Sequence, residues 1–292
     1  MTPALICAAS EMELITAWLT PFYRVTTLKL NRKRLALWLA PFLESGKPVF
    51  AQIMGTNAAE LVNAGKLFLE LGAAGIDLNC GCPSAQVVRH GGGGGMLRDT
   101  ENMLAIFAAL REGLPSGAFL SIKLRTGFAA PDYSWLPRLA ELRPDMVFLH
   151  YRAVSEHYKA LPFELAMERF TAARHALGNG VRVVANGDIN TLEKRDAVLN
   201  LGYCGVMTAR GWLADPELLR EFGGAARRSP LQTVRRELFF RTLAAAEGDF
   251  SNGRALELAR MLWGRDNAVL RALRHAPPDA WQQLTAEVLA DV

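Results

Sequence analysis

Short apolar runs alternate with longer amphipathic stretches through the first three quarters of the chain. In the longer stretches, such as Asn57–Leu71 and Asn102–Glu112, apolar residues recur at intervals of three and four, which predicts helices. The short runs predict eight strands: Ala4–Ala8, Arg24–Leu30, Pro48–Ile53, Gly75–Asn79, Ala118–Leu124, Met146–His150, Val181–Ala185 and Gly205–Thr208. Strands that alternate with helices in this way predict a parallel sheet.

Eight strand–helix units predict a closed (β/α)8 barrel, the TIM-barrel architecture. An open, doubly wound sheet is the alternative, and it more often has five or six strands and begins with a glycine-rich turn. The first predicted strand is followed by Ala9 and Ser10, without a glycine. The pattern therefore favours the barrel.

The pattern changes after Glu221, where Gly223 and Gly224 interrupt the chain. Only helical periodicity follows, so we expect a barrel domain at residues 1–222 and a small all-α domain at residues 225–292. Apart from His275, the basic side chains of this second region are all arginines. Arginine is the better bidentate partner for phosphate, although a GC-rich genome also favours arginine.

The composition narrows the class of protein. Half of the 292 residues are hydrophobic and 21% are charged, which predicts a globular protein with a sizeable core. Four cysteines are too few for a disulfide framework, so we expect reduced thiols and a cytoplasmic protein. The apolar start of the chain lacks basic residues, and we interpret it as a strand rather than a signal peptide. The net charge of +4 permits nucleic-acid binding without requiring it.

Polar residues concentrate at the ends of the predicted strands, where a barrel has its active site. They include Gln52, Asn79, Lys123, Arg125, His150, Arg152, Asn186, Asp188 and Arg210. The ends of strands seven and eight are the usual phosphate site of this fold, and Gly187 and Gly211 would let backbone N–H groups approach an anion. A tight turn is the simpler interpretation of Asn186-Gly187 alone, but the pair of strand ends favours phosphate.

Two of the four cysteines, Cys80 and Cys82, are separated by a single residue. A structural zinc site needs four ligands, usually from Cys-x2-Cys pairs, and a redox pair needs Cys-x-x-Cys spacing. Neither pattern is present. The remaining interpretation is a single catalytic thiol, and Cys82, between Gly81 and Pro83, is the candidate. Packing is the alternative for Cys82 and the favoured role for Cys80.

These segments resemble a known family. DLNCGCPS, followed by VVRHGGGGGMLRD, is similar to the signature of the flavin-dependent tRNA-dihydrouridine synthases, and most of all to their bacterial C-type subfamily. AQIMG, SIKLRTGF, HYR, VVANGDI and VMTARG resemble the family's blocks in order and spacing. The resemblance implies reduction of specific tRNA uridines to 5,6-dihydrouridine with FMN as cofactor and NADPH as reductant. The C-type likeness points to position 16 of the tRNA.

The resemblance also assigns roles to residues. Cys82 would be the proton donor, and Asn79 would orient the uracil. Further substrate contacts are expected from Arg125, Arg152, Arg228 and Arg235. The residues that would hold FMN are Gln52, Lys123, His150, Asn186, Gly187, Asp188, Ala209, Arg210 and Gly211. We expect a monomer that binds tRNA and neither a metal nor a membrane.

Hydride addition to C6 of uracil leaves negative charge at C5, and a thiol, mostly protonated at neutral pH, can supply the proton needed there. The glycine run Gly91–Gly95 predicts a loop without regular structure that lies close to RNA or moves during binding.

One block departs from the family, whose first strand ends in Ala-Pro-Met against the flavin, whereas this chain has Cys7–Ser10 at the matching place. This leaves open a flavin-free, RNA-binding descendant. A flavin barrel that reduces a free pyrimidine is a further alternative, but a small substrate needs no arginine-rich helical region.

Overall fold

A computed structural model of the chain describes residues 2–26, 29–246, 251–265 and 267–290. Its sheet is parallel and its strands are β1 (Trp18–Leu19), β2 (Tyr23–Arg24), β3 (Val49–Met54), β4 (Gly75–Cys80), β5 (Phe119–Arg125), β6 (Met146–His150), β7 (Val183–Asn186) and β8 (Gly205–Met207). The strand order is β1-β3-β4-β5-β6-β7-β8, and β2 also pairs with β3. The fold class is therefore confirmed as a parallel, barrel-type sheet with surrounding helices.

Helices alternate with the strands because each amphipathic stretch buries one side on the sheet. They are α2 (Arg32–Leu43), α3 (Ala58–Glu70), α4 (Ala85–Arg89), α5 (Thr100–Gly113), α6 (Leu136–Glu141), α7 (Phe163–Leu177) and α8 (Leu192–Leu199). The side chain of Asn57 accepts the Glu60 N–H and starts α3, and Asp99 does the same for Asn102 at α5. Leu61 and Phe68 of α3 are fully buried.

The first predicted strand, Ala4–Ala8, is wrong, because these residues belong to helix α1 (Pro3–Glu11). Thr2 caps this helix by accepting the Leu5 N–H at 3.3 Å, and Pro3 occupies its first turn. A short apolar run fits both a buried strand and a buried helix, and the Thr2-Pro3 start agrees with the observed helix without excluding a strand. The block that was compared with the family's first strand, Cys7–Ser10, therefore lies in a helix.

The second predicted strand, Arg24–Leu30, is displaced towards the N-terminus. Strand structure is found at β1 and β2, which end at Arg24, and both pair with β3. Residues 27 and 28 of the predicted strand lie outside the described residues. The six later predictions each coincide with a strand to within two residues at either end.

The C-terminal region is helical as expected, with α9 (Arg210–Ala214), α10 (Leu218–Phe222), α11 (Leu231–Ala245), α12 (Asn252–Trp263), α13 (Ala268–Arg274) and α14 (Trp281–Ala290). Phe239 of α11 lies edge-to-face with Trp263 of α12, with ring centroids 5.5 Å apart. Helix α1 packs on α11, and Arg241 of α11 lies 3.5 Å from Glu11. The N-terminal helix is thus part of the helical core.

Two compact units share the chain. One holds Met1–Thr16, Asn190–Leu192 and Thr208–Val292, and the other holds Ala17–Ile189 and Glu193–Met207. The second unit contains every described strand. The first contains α1 and α9 to α14 and is called the helical unit below. The assignment of catalysis to residues 1–222 and of tRNA recognition to residues 225–292 stays a prediction.

Candidate active site at the carboxyl edge of the sheet

Strand register brings the predicted site residues of the sheet together. Asn79 pairs with Lys123, and Arg125 pairs with His150, which in turn pairs with Asn186. Because the strands are parallel, these residues share the carboxyl edge. This edge offers an amide, an amine and an imidazole within one or two strand spacings, a set able to hold a polar ligand and move a proton.

A chain of hydrogen bonds runs across three strands to the Cys82 turn. Ser121 Oγ donates to Asp77 at 2.6 Å, and Gln52 Nε2 donates to the other oxygen of Asp77 at 2.8 Å. Asn79 Nδ2 donates to Gln52 Oε1 at 2.7 Å. Asn79 Oδ1 is therefore directed at the turn, where it accepts the N–H groups of Gly81 and Cys82 at 3.1 and 3.0 Å.

Asp77 and Ser121 were not among the sequence-based site residues, yet they set the direction of this chain. A carboxylate only accepts hydrogen bonds, so it fixes which end of the Gln52 amide faces it. Burial raises the pKa of the Asp77 carboxyl to about 6, although the hydrogen bonds from Ser121 and Gln52 act to lower it. Asp77 stands two residues before Asn79 in a fully buried strand. Acidic residues are rarely buried without a partner, so an aspartate in an apolar strand next to Asn79 was the sequence signal that could have identified it.

Lys123 is half-buried beside this chain. Burial lowers the pKa of its ammonium group to about 8, while the charges of Asp77 and Cys82 oppose the shift. At neutral pH the amine is therefore mostly protonated and places a positive charge near the Cys82 thiol. That charge favours an anionic ligand at the carboxyl edge.

The two neighbouring cysteines have different environments. Cys80 is completely buried, its Sγ lies 3.6 Å from Met96 Sδ, and burial raises its pKa well above the ordinary value. Cys82 is half-buried on the turn after β4. The packing role for Cys80 fits this geometry, and Cys82 is the thiol that a substrate could reach.

The glycine run is packed rather than irregular, which corrects the prediction of an unstructured loop. Gly93–Arg98 form a 310 helix, and Gly94 N–H donates to the Cys82 carbonyl at 2.9 Å. A Cβ on Gly94 would lie 2.7 Å from Val154 Cγ2 and 2.9 Å from Cys82 O. Gly93 and Gly94 are needed because their backbone lies directly against the Cys82 turn.

Arg125 holds the same turn from the other side. It is buried, and its Nε donates to the Gly81 carbonyl at 2.9 Å, while Nη1 donates to the carbonyls of Ala153 and His157 at 3.0 and 2.9 Å. These bonds join the turn after β4 to the segment after β6. Direct contact of Arg125 with substrate stays a prediction, and the observed contacts give it a positioning role.

Arg152 is also enclosed. It is fully buried, its Nε donates to Lys159 O at 2.7 Å, and its Nη2 lies 2.6 Å from Asp188 Oδ2. Its Nη1 is buried without a partner among the described residues. A buried guanidinium nitrogen left unpaired costs free energy, so an anionic or carbonyl ligand would stabilise it.

His150, Asn186 and Gly187 complete the carboxyl edge. His150 is buried, and its Nδ1 accepts the Arg152 N–H at 3.2 Å, so a neutral ring carries its proton on Nε2. Asn186 Nδ2 donates to Met207 O at 2.9 Å. Gly187 has a φ of 148°, and a Cβ there would lie 2.4 Å from Tyr151 Cε1, so only glycine fits.

The remaining predicted FMN residues belong to the helical unit. Ala209 precedes α9, and Arg210 and Gly211 form its first turn. A Cβ on Gly211 would lie 2.4 Å from Thr208 Oγ1, so a side chain there would have to displace the threonine hydroxyl. The phosphate site at these residues stays a prediction.

Arg228 and Arg235, predicted to bind RNA, are engaged within the helical unit. Arg228 Nη2 donates to the carbonyls of Met12 and Glu13 at 3.1 and 3.2 Å, and its backbone N–H donates to buried Glu217. Arg235 Nε donates to Ala214 O at 2.8 Å. RNA binding by these two residues stays a prediction, and their contacts hold the helical unit together.

Solved structures share the fold at low sequence identity. A variant of NCR from Zymomonas mobilis aligns with a TM-score of 0.53 and 14% identity, over 79% of this chain and 82% of that one. Morphinone reductase aligns with a TM-score of 0.53 and 11% identity, over 78% and 82%. The fold and the strand register thus define a barrel-type protein with polar side chains gathered at the strand ends.

Sequence comparison identifies the family. Residues 16–256 match the family model described as dihydrouridine synthase (Dus), so the chain belongs to the dihydrouridine synthase family. The tRNA-dihydrouridine(16) synthase of Haemophilus ducreyi is 32% identical over 212 residues, 68% of this chain and 62% of that protein. That of Haemophilus influenzae is 29% identical over 217 residues, 73% and 67%. These alignments span only 62% and 67% of the two relatives, and the family-model match begins after α1.

No helix in the described part of the chain is both long enough and apolar enough to cross a membrane.

Proposed function

We propose that this protein reduces uridine in tRNA to 5,6-dihydrouridine, with a flavin as cofactor and Cys82 as the general acid. One observation carries the proposal: within the segment that matches the family, the half-buried Cys82 is anchored by Asn79 next to protonated Lys123. The relatives named tRNA-dihydrouridine(16) synthases support position 16 as the target.

The residues at the carboxyl edge fit a flavin. Lys123 supplies a positive charge, His150 carries an N–H on Nε2, and Arg152 has a buried Nη1 without a described partner. Such donors match the carbonyl and phosphate oxygens of FMN. The residues that would hold it are Gln52, Lys123, His150, Asn186, Gly187, Asp188, Ala209, Arg210 and Gly211.

FMN, when bound, would supply a hydride to C6 of the uracil ring. Cys82 then donates its proton to C5, where negative charge develops. The resulting thiolate is stabilised by Lys123 and Arg125, both of which interact electrostatically with Cys82. Asn79 keeps the turn in place through its bonds to the Gly81 and Cys82 N–H groups. A proton from water restores the thiol.

Further parts of the proposal concern partners and cellular setting. NADPH is the proposed reductant of the flavin, tRNA is the proposed substrate, and we infer a cytoplasmic monomer. The helical unit is proposed to contribute to tRNA binding, because its basic residues, apart from His275, are arginines that suit phosphate. Since a stacked uridine cannot reach a site at a barrel edge, the target base must leave its stack.

The experiment is a nucleoside assay. Purified protein is incubated with FMN, NADPH and unmodified tRNA, and the digested RNA is analysed by mass spectrometry for dihydrouridine, which is two mass units heavier than uridine. Cys82→Ala should retain flavin and its reduction by NADPH yet form little dihydrouridine, because the proton donor is lost. Cys80→Ala is the matched control and should retain turnover.

Two results would refute the proposal. Loss of turnover in Cys80→Ala with full activity in Cys82→Ala would reverse the assignment of the acid. A colourless wild-type protein that takes up no FMN and makes no dihydrouridine would instead favour the flavin-free RNA-binding descendant.

A further inference from the structure

A cavity of about 360 Å³ lies beside the Cys82 turn, at the carboxyl ends of β4, β5 and β6. Its wall includes Pro83, Arg89, Arg98, Phe128, Ser155 and His157. Among the described residues that line it there is no aspartate or glutamate. The cavity is therefore basic and adjoins, without including, the proposed catalytic thiol.

The two arginines of this cavity are presented differently. Arg98 is held, because its Nη1 lies 3.4 Å from Val88 O and its guanidinium covers the Phe128 ring at 4.3 Å from the centroid. Arg89 is exposed, and its side chain has no hydrogen bond or ion pair within the described part of the chain. One arginine thus forms part of the wall, and the other is available for a ligand.

The walls of the cavity are fixed to the catalytic turn. The Ser155 N–H donates to Phe128 O at 3.0 Å, which ties the segment after β6 to the segment after β5. Arg125 bonds both Gly81 O and His157 O. His157 has a φ of 49° and a ψ of −109°, a conformation that costs a non-glycine residue free energy and persists only where its surroundings impose it.

We propose that this cavity is a subsite for the nucleotide next to the target uridine in the RNA chain, with its phosphate bound by Arg89 and Arg98. The inference rests on the proposed function. Pro83, the residue after Cys82, lines the cavity, so RNA that extends from a uracil at Cys82 can enter it. A phosphodiester is the anion that the RNA backbone carries, and arginine binds it with two hydrogen bonds.

The test compares Arg89→Gln with Arg182→Gln, a matched control. Arg182 is also exposed but precedes β7, at the opposite, amino end of the sheet. Affinity for unmodified tRNA is measured at several salt concentrations. We expect Arg89→Gln to weaken binding about tenfold and to reduce the salt slope by roughly 0.7–0.9, as for one lost phosphate contact. Arg182→Gln should match wild type.

A second measurement locates the contact. tRNA is prepared with a neutral methylphosphonate on one side of the target uridine or on the other. One of these substitutions should weaken binding to wild type but add no further loss in Arg89→Gln, because the contact is already absent. If the losses are additive, or if Arg89→Gln behaves as Arg182→Gln does, the subsite is refuted.

Two further outcomes are distinguishable. If Arg89→Gln raises the KM for NADPH and leaves tRNA affinity unchanged, the cavity serves the dinucleotide, and the inference is wrong. Binding is measured without turnover, so a wild type that binds tRNA through Arg89 and makes no dihydrouridine would refute the proposed function while supporting the subsite.

Discussion

Individual residues at the carboxyl edge act through a directional chain of hydrogen bonds. Asp77 only accepts, so Gln52 must present its amide nitrogen to Asp77 and its oxygen to Asn79. Asn79 in turn must present its oxygen to the Cys82 turn. A buried residue without any contact with substrate therefore determines how the proposed general acid is held.

Asp77→Leu is expected to reduce dihydrouridine formation by on the order of 10–100-fold, because misplaced catalytic groups cost about that much. Leucine removes the acceptor, so the Gln52 side-chain amide can rotate and exchange the positions of its oxygen and nitrogen. Asp77→Asn should retain most activity, since its oxygen accepts from Gln52 while its amide donates to Ser121. The measurement is kcat at saturating tRNA, and equal losses in both variants would contradict the directional role.

The same residue makes stability depend on pH. Folding raises the pKa of Asp77 from 3.8 to about 6, so between these values the folded state binds more protons than the unfolded state. Stability from this group is therefore lost as pH rises from about 4 to about 6. Relative to Asp77→Asn, the wild type should lose up to about 3 kcal/mol of unfolding free energy across this window. Urea unfolding at pH 4.5 and pH 7 should show about 2 kcal/mol of this loss, and a constant difference between the two proteins would contradict it.

At the scale of elements, the 310 helix Gly93–Arg98 supports the turn after β4. Gly94→Ala should destabilise the protein by about 1–3 kcal/mol, because its Cβ would overlap Val154 and the Cys82 carbonyl. Gly180→Ala is the control, since a Cβ there meets nothing within 4 Å. Thermal unfolding of both variants tests this, and similar losses would show that the close packing is unimportant.

The first turn of α9 carries the predicted FMN phosphate contact. Arg210→Ala should weaken flavin retention by about 1.5–3 kcal/mol, the usual contribution of a charged hydrogen bond. The check is the ratio of flavin to protein after dialysis, followed by titration with FMN. Unchanged flavin content in the variant would remove Arg210 from the site.

At the scale of the whole molecule, some arginines of the helical unit are held by hydrogen bonds within it, whereas others have no such partner among the described residues. Arg228 and Arg235 are tied to carbonyl groups within their unit. Arg254 and Arg274 are exposed, and no side-chain partner is found for either among the described residues. Position in the sequence does not separate these groups, but their contacts do.

This division gives a test of tRNA binding by the helical unit. Arg254→Gln and Arg274→Gln should each reduce the salt slope of tRNA affinity by roughly 0.7–0.9 if they contact phosphate, with no change in unfolding temperature. Arg228→Gln and Arg235→Gln should lower the unfolding temperature instead. If none of the four variants changes the salt slope, these arginines do not bind the RNA.

Much of the fold is encoded locally in the sequence. Strands β3 to β8 are short, nearly continuous apolar runs, because parallel strands are covered on both faces, and this pattern located them. The parallel arrangement places every strand end at one edge, so Gln52, Asn79, Lys123 and His150 could be listed as site residues before any contact was known. The cysteine spacing likewise separated Cys80 from Cys82.

Only the tertiary structure decided the rest, because it depends on partners far apart in the chain. Ala4–Ala8 satisfies both a strand and a helix pattern, and in the structure this segment is a helix that packs on α11. The bond between Gln52 and Asp77 depends on the register of two strands, and the bonds of Arg228 to Met12 and Glu13 span more than 200 residues. Periodicity along the chain records which side of an element is buried, but not which distant residue is buried against it.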